Sequence, residues 1–178
     1  MSINSELLSF TYGSFVTQLI KDIGDIETVN SQLEQIGHNI GTRIVDEFLA
    51  KSGVQGCNDF KETANVLAKV AFKMFLGVTA DVTKWNSTGT CCSIVMLENP
   101  LTHFVDLPAS LDSLKYSNIL CGAICGALLQ LYKLLIRSLR MKVSCEILED
   151  MLNGGECYEF RLELKELIKD VFVDDEGD

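Results

Sequence analysis

Seven cysteines and two histidines are the residues of this 178-residue chain with the most chemistry to offer. The thiols fall at Cys57, Cys91, Cys92, Cys121, Cys125, Cys145 and Cys157, with no C-x-x-C pair among them. Cys57 has the most distinctive setting, inside "KSGVQGCNDFKETANVLAKVAFKMF" (51–75). Gly53 and Gly56 break the backbone before it, and Asn58 and Asp59 open a helix after it. At a helix start, exposed amide groups and the macrodipole favour a thiolate, which makes the sulfur a better nucleophile. The competing reading is a small residue tucked beneath a glycine turn.

The other candidates are weaker. Cys121 and Cys125 share a helix face at i, i+4, a spacing two metal ligands can use, yet Ile119, Ile124 and Leu128 flank them and favour a core role. Cys91 and Cys92 sit in a strand-like run, where successive side chains point to opposite faces and joint ligation is poor. His38 belongs to a helical pattern and His103 to a loop, so a Cys57–His pair for nucleophilic catalysis has no support in spacing. The sequence holds no Walker loop, G-x-G-x-x-G, H-E-x-x-H or nucleophile elbow. No catalytic, metal or cofactor-binding residue is assigned.

Composition narrows the function classes. Twenty-five acids against 15 bases give a net charge of −10, which argues against nucleic acid as a partner. A hydrophobic content of 47% excludes a disordered class. The opening "MSINSELLSF" lacks the basic start and apolar run of a signal peptide, so reduced thiols and an intracellular setting are expected. In "NILCGAICGALLQLYKLLIRSL" (118–139) the clean apolar part runs only from Ile119 to Leu129. A membrane span needs about 20 apolar residues, so a buried core helix is expected there.

The elements that must position Cys57 follow from periodicity. A helix is expected over Glu6–Ile23, with Leu7, Leu8, Phe15, Leu19 and Ile23 as its apolar set and Gly13 interrupting. From Asp25 to Lys51, Ile26, Val29, Leu33, Ile36, Ile40, Ile44 and Phe48 recur three or four apart, an amphipathic helix that Gly53 would stop. Gly37 and Gly41 lie on one side of it, where a neighbouring backbone from this chain or another subunit can approach closely. Asp59 and Glu62 have capping-box spacing for a third helix reaching Gly77. A hairpin is expected over Asp81–Leu97, a loop over "ENPLTHFVDLP", a glycine-spaced helix from about Leu114, and a second hairpin around "NGG". The tail "DDEGD" reads as an acidic, frayed end.

Several stretches match a known family closely: "LLSFTYGSFVTQL", "GHNIGTRIVDEFLAKSGV", "CNDFKETANVLAKVAFKMFLGVTADVTKW", "NPLTHFVDLP" and "YSNILCGAICGAL". On these the chain resembles the Bet-three subunits of TRAPP, the transport protein particle that tethers vesicles between endoplasmic reticulum and Golgi. The resemblance implies one non-enzymatic subunit domain over 1–178 with an α/β fold, in an α+β arrangement: amphipathic helices layered on a twisted antiparallel sheet of two hairpins, around a hydrophobic channel. It implies a long acyl chain, palmitate in kind, attached to Cys57 and buried in that channel. It also implies heterodimers with related TRAPP subunits, a peripheral place on cis-Golgi and endoplasmic reticulum, and support of nucleotide exchange on a Rab GTPase by the assembled complex.

The chain departs from the family pattern at three places. Gly56 stands where a basic residue usually precedes the acyl cysteine, so Cys57 is expected to acylate less readily. Cys125 replaces a basic residue and Leu129 an acid in the glycine-spaced helix. Around 129–140 the chain is about eight residues longer than the pattern, roughly 12 Å of rise if helical, and either a longer helix or a bulging loop accommodates them. Two other readings stay open: a lipid carrier that uses its channel to hold acyl chains, and a cysteine-dependent acyl-transfer enzyme working through Cys57.

Overall fold

The computed structural model describes residues 5–54, 57, 59–135 and 139–169. Gln55, Gly56, Asn58 and the acidic tail lie outside the described residues.

Two long helices open the chain. Helix α1 (Ser5–Ile23) runs through Gly13 without a break. Its buried residues are Ser9, Tyr12 and Val16, while Leu7 and Phe15 are exposed. Leu8, Leu19 and Ile23 of the expected apolar set do pack against the core, but Leu7 and Phe15 give way to a buried tyrosine and serine that find polar partners. The Tyr12 hydroxyl donates to the Tyr116 carbonyl at 2.6 Å, and Ser9 Oγ donates to the Leu101 carbonyl at 3.2 Å. Helix α2 (Ile26–Ser52) matches its expected span. Asp25 caps it by accepting from the Thr28 amide, and Gly53 ends it at φ 70°, a left-handed conformation that suits glycine.

The third helical segment starts where the capping spacing placed it. Asp59 accepts from the Glu62 amide, opening α3 (Phe60–Val66). A π-helical turn follows over Leu67–Ala71, and α4 (Phe72–Phe75) completes the run before Gly77. Nothing in "LAKVA" signals a wider turn.

Strands β1 (Asp81–Thr83) and β2 (Cys91–Met96) form the first hairpin, and β3 (Leu139–Glu149) and β4 (Tyr158–Lys169) the second. The hairpins join through β2 and β4 into one antiparallel sheet, order β1-β2-β4-β3. One face of this sheet supplies Cys92, Ile94, Met96, Phe160 and Leu162 to the core, in the alternation a half-buried strand requires.

Helix α5 (Asn118–Leu135) begins later than the sequence implies. Asn30 of α2 explains the delay. Its side chain donates to the Ser113 carbonyl and accepts from the Lys115 amide, so these backbone groups face α2 instead of starting a helix. The long stretch near 129–140 is helical through Leu135 and extended from Leu139, with 136–138 outside the described residues. No helix of the described residues is long and apolar enough to cross a membrane.

Helices α2 and α5 pack through reciprocal glycines. A Cβ on Gly41 would come within 2.8 Å of the Ala123 carbonyl carbon, and Gly37 faces the Ile119 carbonyl as tightly. From the other side, Gly122 and Gly126 face the backbone of Glu34 and His38. Of the two readings open for Gly37 and Gly41, packing within this chain is the one observed. Gly41→Ala or Gly122→Ala must push two helix backbones apart and is expected to cost more than about 4 kcal/mol or to prevent folding. Gly13→Ala, whose Cβ would meet only the Tyr116 hydroxyl at 3.4 Å, is expected to shift stability little. Thermal denaturation of the three variants checks this contrast.

Candidate functional site

The helices do not close completely over one another. They leave an apolar cleft of about 570 Å³, a volume typical of small-ligand sites. Leu8, Tyr12 and Phe15 of α1 form one wall, and Ile36, Ile40, Ile44 and Phe48 of α2 a second. Leu67 and Ala71 of the π turn, Phe72 and Phe75 of α4, and Ala123, Ile124 and Leu131 of α5 complete it. The α2 residues that looked like a packing stripe thus divide their work. Val29, Leu33 and Phe48 are buried, joined by Val45 from outside the expected set, whereas Ile36 and Ile44 are half-buried and Ile40 is 41% exposed.

The cleft separates two apolar clusters. The larger joins the sheet to α1, α2, α3 and α5, and the smaller gathers Val45, Phe48, Ala127 and Leu131 with Val54, Val66 and Val70 around it. Members of both line the cleft. The π turn widens the helix where Leu67 and Ala71 face this space. Such turns recur at functional sites because the extra residue re-aims side chains that a regular helix would stack.

Cys57 lies three residues beyond Val54 and two before the Asp59 cap. It is buried, 6% exposed, and its sulfur meets the Thr63 hydroxyl rather than the cleft lining. Burial pushes the thiol pKa up, the hydrogen bond with Thr63 takes back part of the rise, and the Glu62 and Asp59 carboxylates add to it. Of the two readings open for Cys57, a tucked, buried thiol therefore fits better than an activated thiolate. The Asp59 carboxylate already occupies the Glu62 amide, so the positive end of the helix is satisfied by an anion before the sulfur can use it.

Cys92, Cys121 and Cys145 are buried in the larger apolar cluster, and Cys125 packs against it. Cys121, Cys125 and Cys145 meet between α5 and β3, where Cys145 and Cys121 share a hydrogen bond. Burial pushes both Cys125 and Cys92 up to about 12. His38 lies against the α5 backbone at Gly126, and His103 is exposed beside Phe104. The groups acting on Cys57 are Thr63, Glu62 and Asp59, so the structure does not assemble a Cys57–His pair. Sequence reasoning missed the cleft walls on α1 and in the π turn. The signal available was the surplus of isoleucines on α2, more than one buried stripe needs.

The architecture defines a class first: helices packed on a four-stranded antiparallel sheet, enclosing an apolar cleft, with a buried cysteine two residues before the α3 cap. The family model described as transport protein particle (TRAPP) component matches residues 8–163, and the chain belongs to this family. It is 48% identical to trafficking protein particle complex subunit 3 of Dictyostelium discoideum over 95% of this chain and 87% of that protein. It is 38% identical to trafficking protein particle complex subunit BET3 of Saccharomyces cerevisiae, over 94% of this chain and 84% of that one. The crystal structure of a trafficking protein particle complex subunit 3 from Naegleria fowleri, covalently bound to palmitic acid, superposes with TM-score 0.84 at 48% identity. That match covers 93% of this chain and 97% of the other. The relatives are thus named as subunits of a trafficking particle.

Because its pKa is raised, Cys57 holds a smaller thiolate fraction at neutral pH than an ordinary thiol. Its alkylation by iodoacetamide is expected to trail that of half-buried Cys91 and to keep rising above the usual thiol pKa of about 8.5. Site-resolved mass spectrometry across a pH series reads both.

Proposed function

We propose that this protein is a non-catalytic subunit of a TRAPP tethering complex, with Cys57 as its S-acylation site and the cleft as the seat of the acyl chain. The observation that carries the reading is the apolar cleft itself. Its walls are almost wholly aliphatic and aromatic, and Val54, three residues before Cys57, packs against the cluster whose Val45, Phe48, Ala127 and Leu131 line part of it. The palmitic acid in the Naegleria fowleri subunit supports the same use of the fold.

A thiol raised in pKa is a poor acceptor on its own, so positioning must supply the rate. An acyl thioester donor threads its tail into the cleft, each buried CH₂ contributing about 0.8 kcal/mol, and the carbonyl arrives beside the sulfur. The Cys57 sulfur then forms the new thioester bond as the donor sulfur leaves, and the thiol proton ends on that leaving group. The chain becomes part of the core and bridges the two apolar clusters. Held inside, it does not anchor the protein to a bilayer.

Assembly with related TRAPP subunits falls to the α1–α2 face, where Leu7, Phe15 and Ile40 leave apolar surface exposed. Through that complex the protein acts in traffic between endoplasmic reticulum and Golgi and supports exchange on a Rab GTPase.

The intact mass of protein purified from native cells tests the lipid. A hydroxylamine-sensitive acyl increment is expected in the wild type, absent in Cys57→Ser and reduced in Ala71→Phe, which fills the cleft from the π turn. An increment that persists in Cys57→Ser overturns the assignment. Wild type is expected to co-purify stoichiometrically with other TRAPP subunits, and a Leu7→Asp variant, exposed and outside the cleft lining, to lose them while keeping its acyl group. A wild-type monomer in native extract sinks the tethering role.

A further inference from the structure

On the far side of the sheet from the cleft, three residues converge that no function above uses. Glu149 ends β3 and stands directly across from Glu159 of β4, in cross-strand register. Cys157 precedes Glu159 by two residues and so shares its face. One ligand atom from each lies within 4.8 Å of the others.

Two carboxylates directly opposed across a sheet repel each other, so the pairing needs a cation. Lys84 supplies part of it, donating to Glu159 Oε2 at 2.6 Å, and the Arg161 guanidinium and Ser93 hydroxyl add to it from the same face. Glu159 is 3% exposed, yet its Oε1 is buried and has no hydrogen-bond partner. A buried, unpartnered carboxylate oxygen is costly unless something positive meets it. Glu149 is fixed in the same half-used way. Its Oε1 accepts the Glu156 amide at 2.6 Å, and its Oε2 accepts from the Cys157 thiol at 3.5 Å. Glu149 thus has one oxygen held by the Glu156 amide and the other on the Cys157 thiol, and Glu159 has one oxygen held by Lys84 and the other unpartnered, an arrangement in which outer partners orient metal ligands.

We propose that Glu149, Cys157 and Glu159 bind a thiophilic divalent cation of the zinc type, with Glu159 Oε1, Glu149 Oε2 and the Cys157 sulfur as its protein ligands. A thiolate beside two carboxylates suits zinc better than magnesium or calcium, and three protein ligands leave a fourth position for water. Binding replaces the Cys157 S–H bond with a sulfur–metal bond and releases that proton to solvent. Lys84 stays on Oε2 as the outer partner. The ion would pin the start of β4 to the end of β3 and convert a repulsive pair into a clasp. None of this depends on acylation of Cys57.

Cobalt(II) titration of the reduced full-length protein tests the site, because a thiolate–cobalt bond gives a near-ultraviolet charge-transfer band. Expected are a band saturating at one equivalent, its displacement by zinc, release of one proton, and a rise in melting temperature with zinc but not magnesium. Cys157→Ser should abolish the band, and Glu159→Gln or Glu149→Gln should weaken zinc binding at least about tenfold. Glu149 is half-buried, so its variant stays informative even if Glu159→Gln fails to fold. No band in the wild type, or a band of equal strength in Cys157→Ser, overturns the proposal.

Discussion

The backbone-to-backbone contact between α2 and α5 is the constraint on which the rest of the fold depends. Four glycines let the two helices approach closer than any side chain permits, Gly37 and Gly41 from one side and Gly122 and Gly126 from the other. That approach fixes how far the remaining helix faces stand apart. Ile36, Ile40 and Ile44, beside those glycines on α2, then line the cleft with residues of α1, the π turn and α5. Tight packing on one side and open space on the other are two results of one geometry.

Polar anchors complete the arrangement at its margins. Asn30 reaches from the middle of the helical layer to hold the loop before α5, while Tyr12 and Ser9 tie α1 to Tyr116 and Leu101. Each satisfies a buried backbone group that would otherwise be stranded. These bonds explain why α1 turns a tyrosine and a serine inward while leucine and phenylalanine look outward. A pattern that counts only apolar residues reads that face incorrectly.

What was legible in the sequence was whatever depends on local chemistry. The Asp25 and Asp59 caps, the stop at Gly53, the close approach at Gly37 and Gly41, and both hairpins follow from residue types at short spacing. The motifs placing the chain near TRAPP subunits were legible too. What was not legible depends on partners distant in sequence: the start of α5, set by Asn30 some 85 positions away, and the inward face of α1. The Cys57 thiol belongs to the same group. Its position at a helix threshold was readable, but its burial and the capture of the helix end by Asp59 were not. The π turn has no local signature at all.

The cleft has a mechanical meaning as well as a chemical one. Folded proteins resist compression because their interiors are close-packed, and space that no side chain fills is volume that unfolding abolishes. The cleft, about 570 Å³ and lined by members of both apolar clusters, is where that close packing is interrupted. The same space makes the smaller cluster at the far ends of α2 and α5 the part whose cohesion with the sheet is set by what fills the gap.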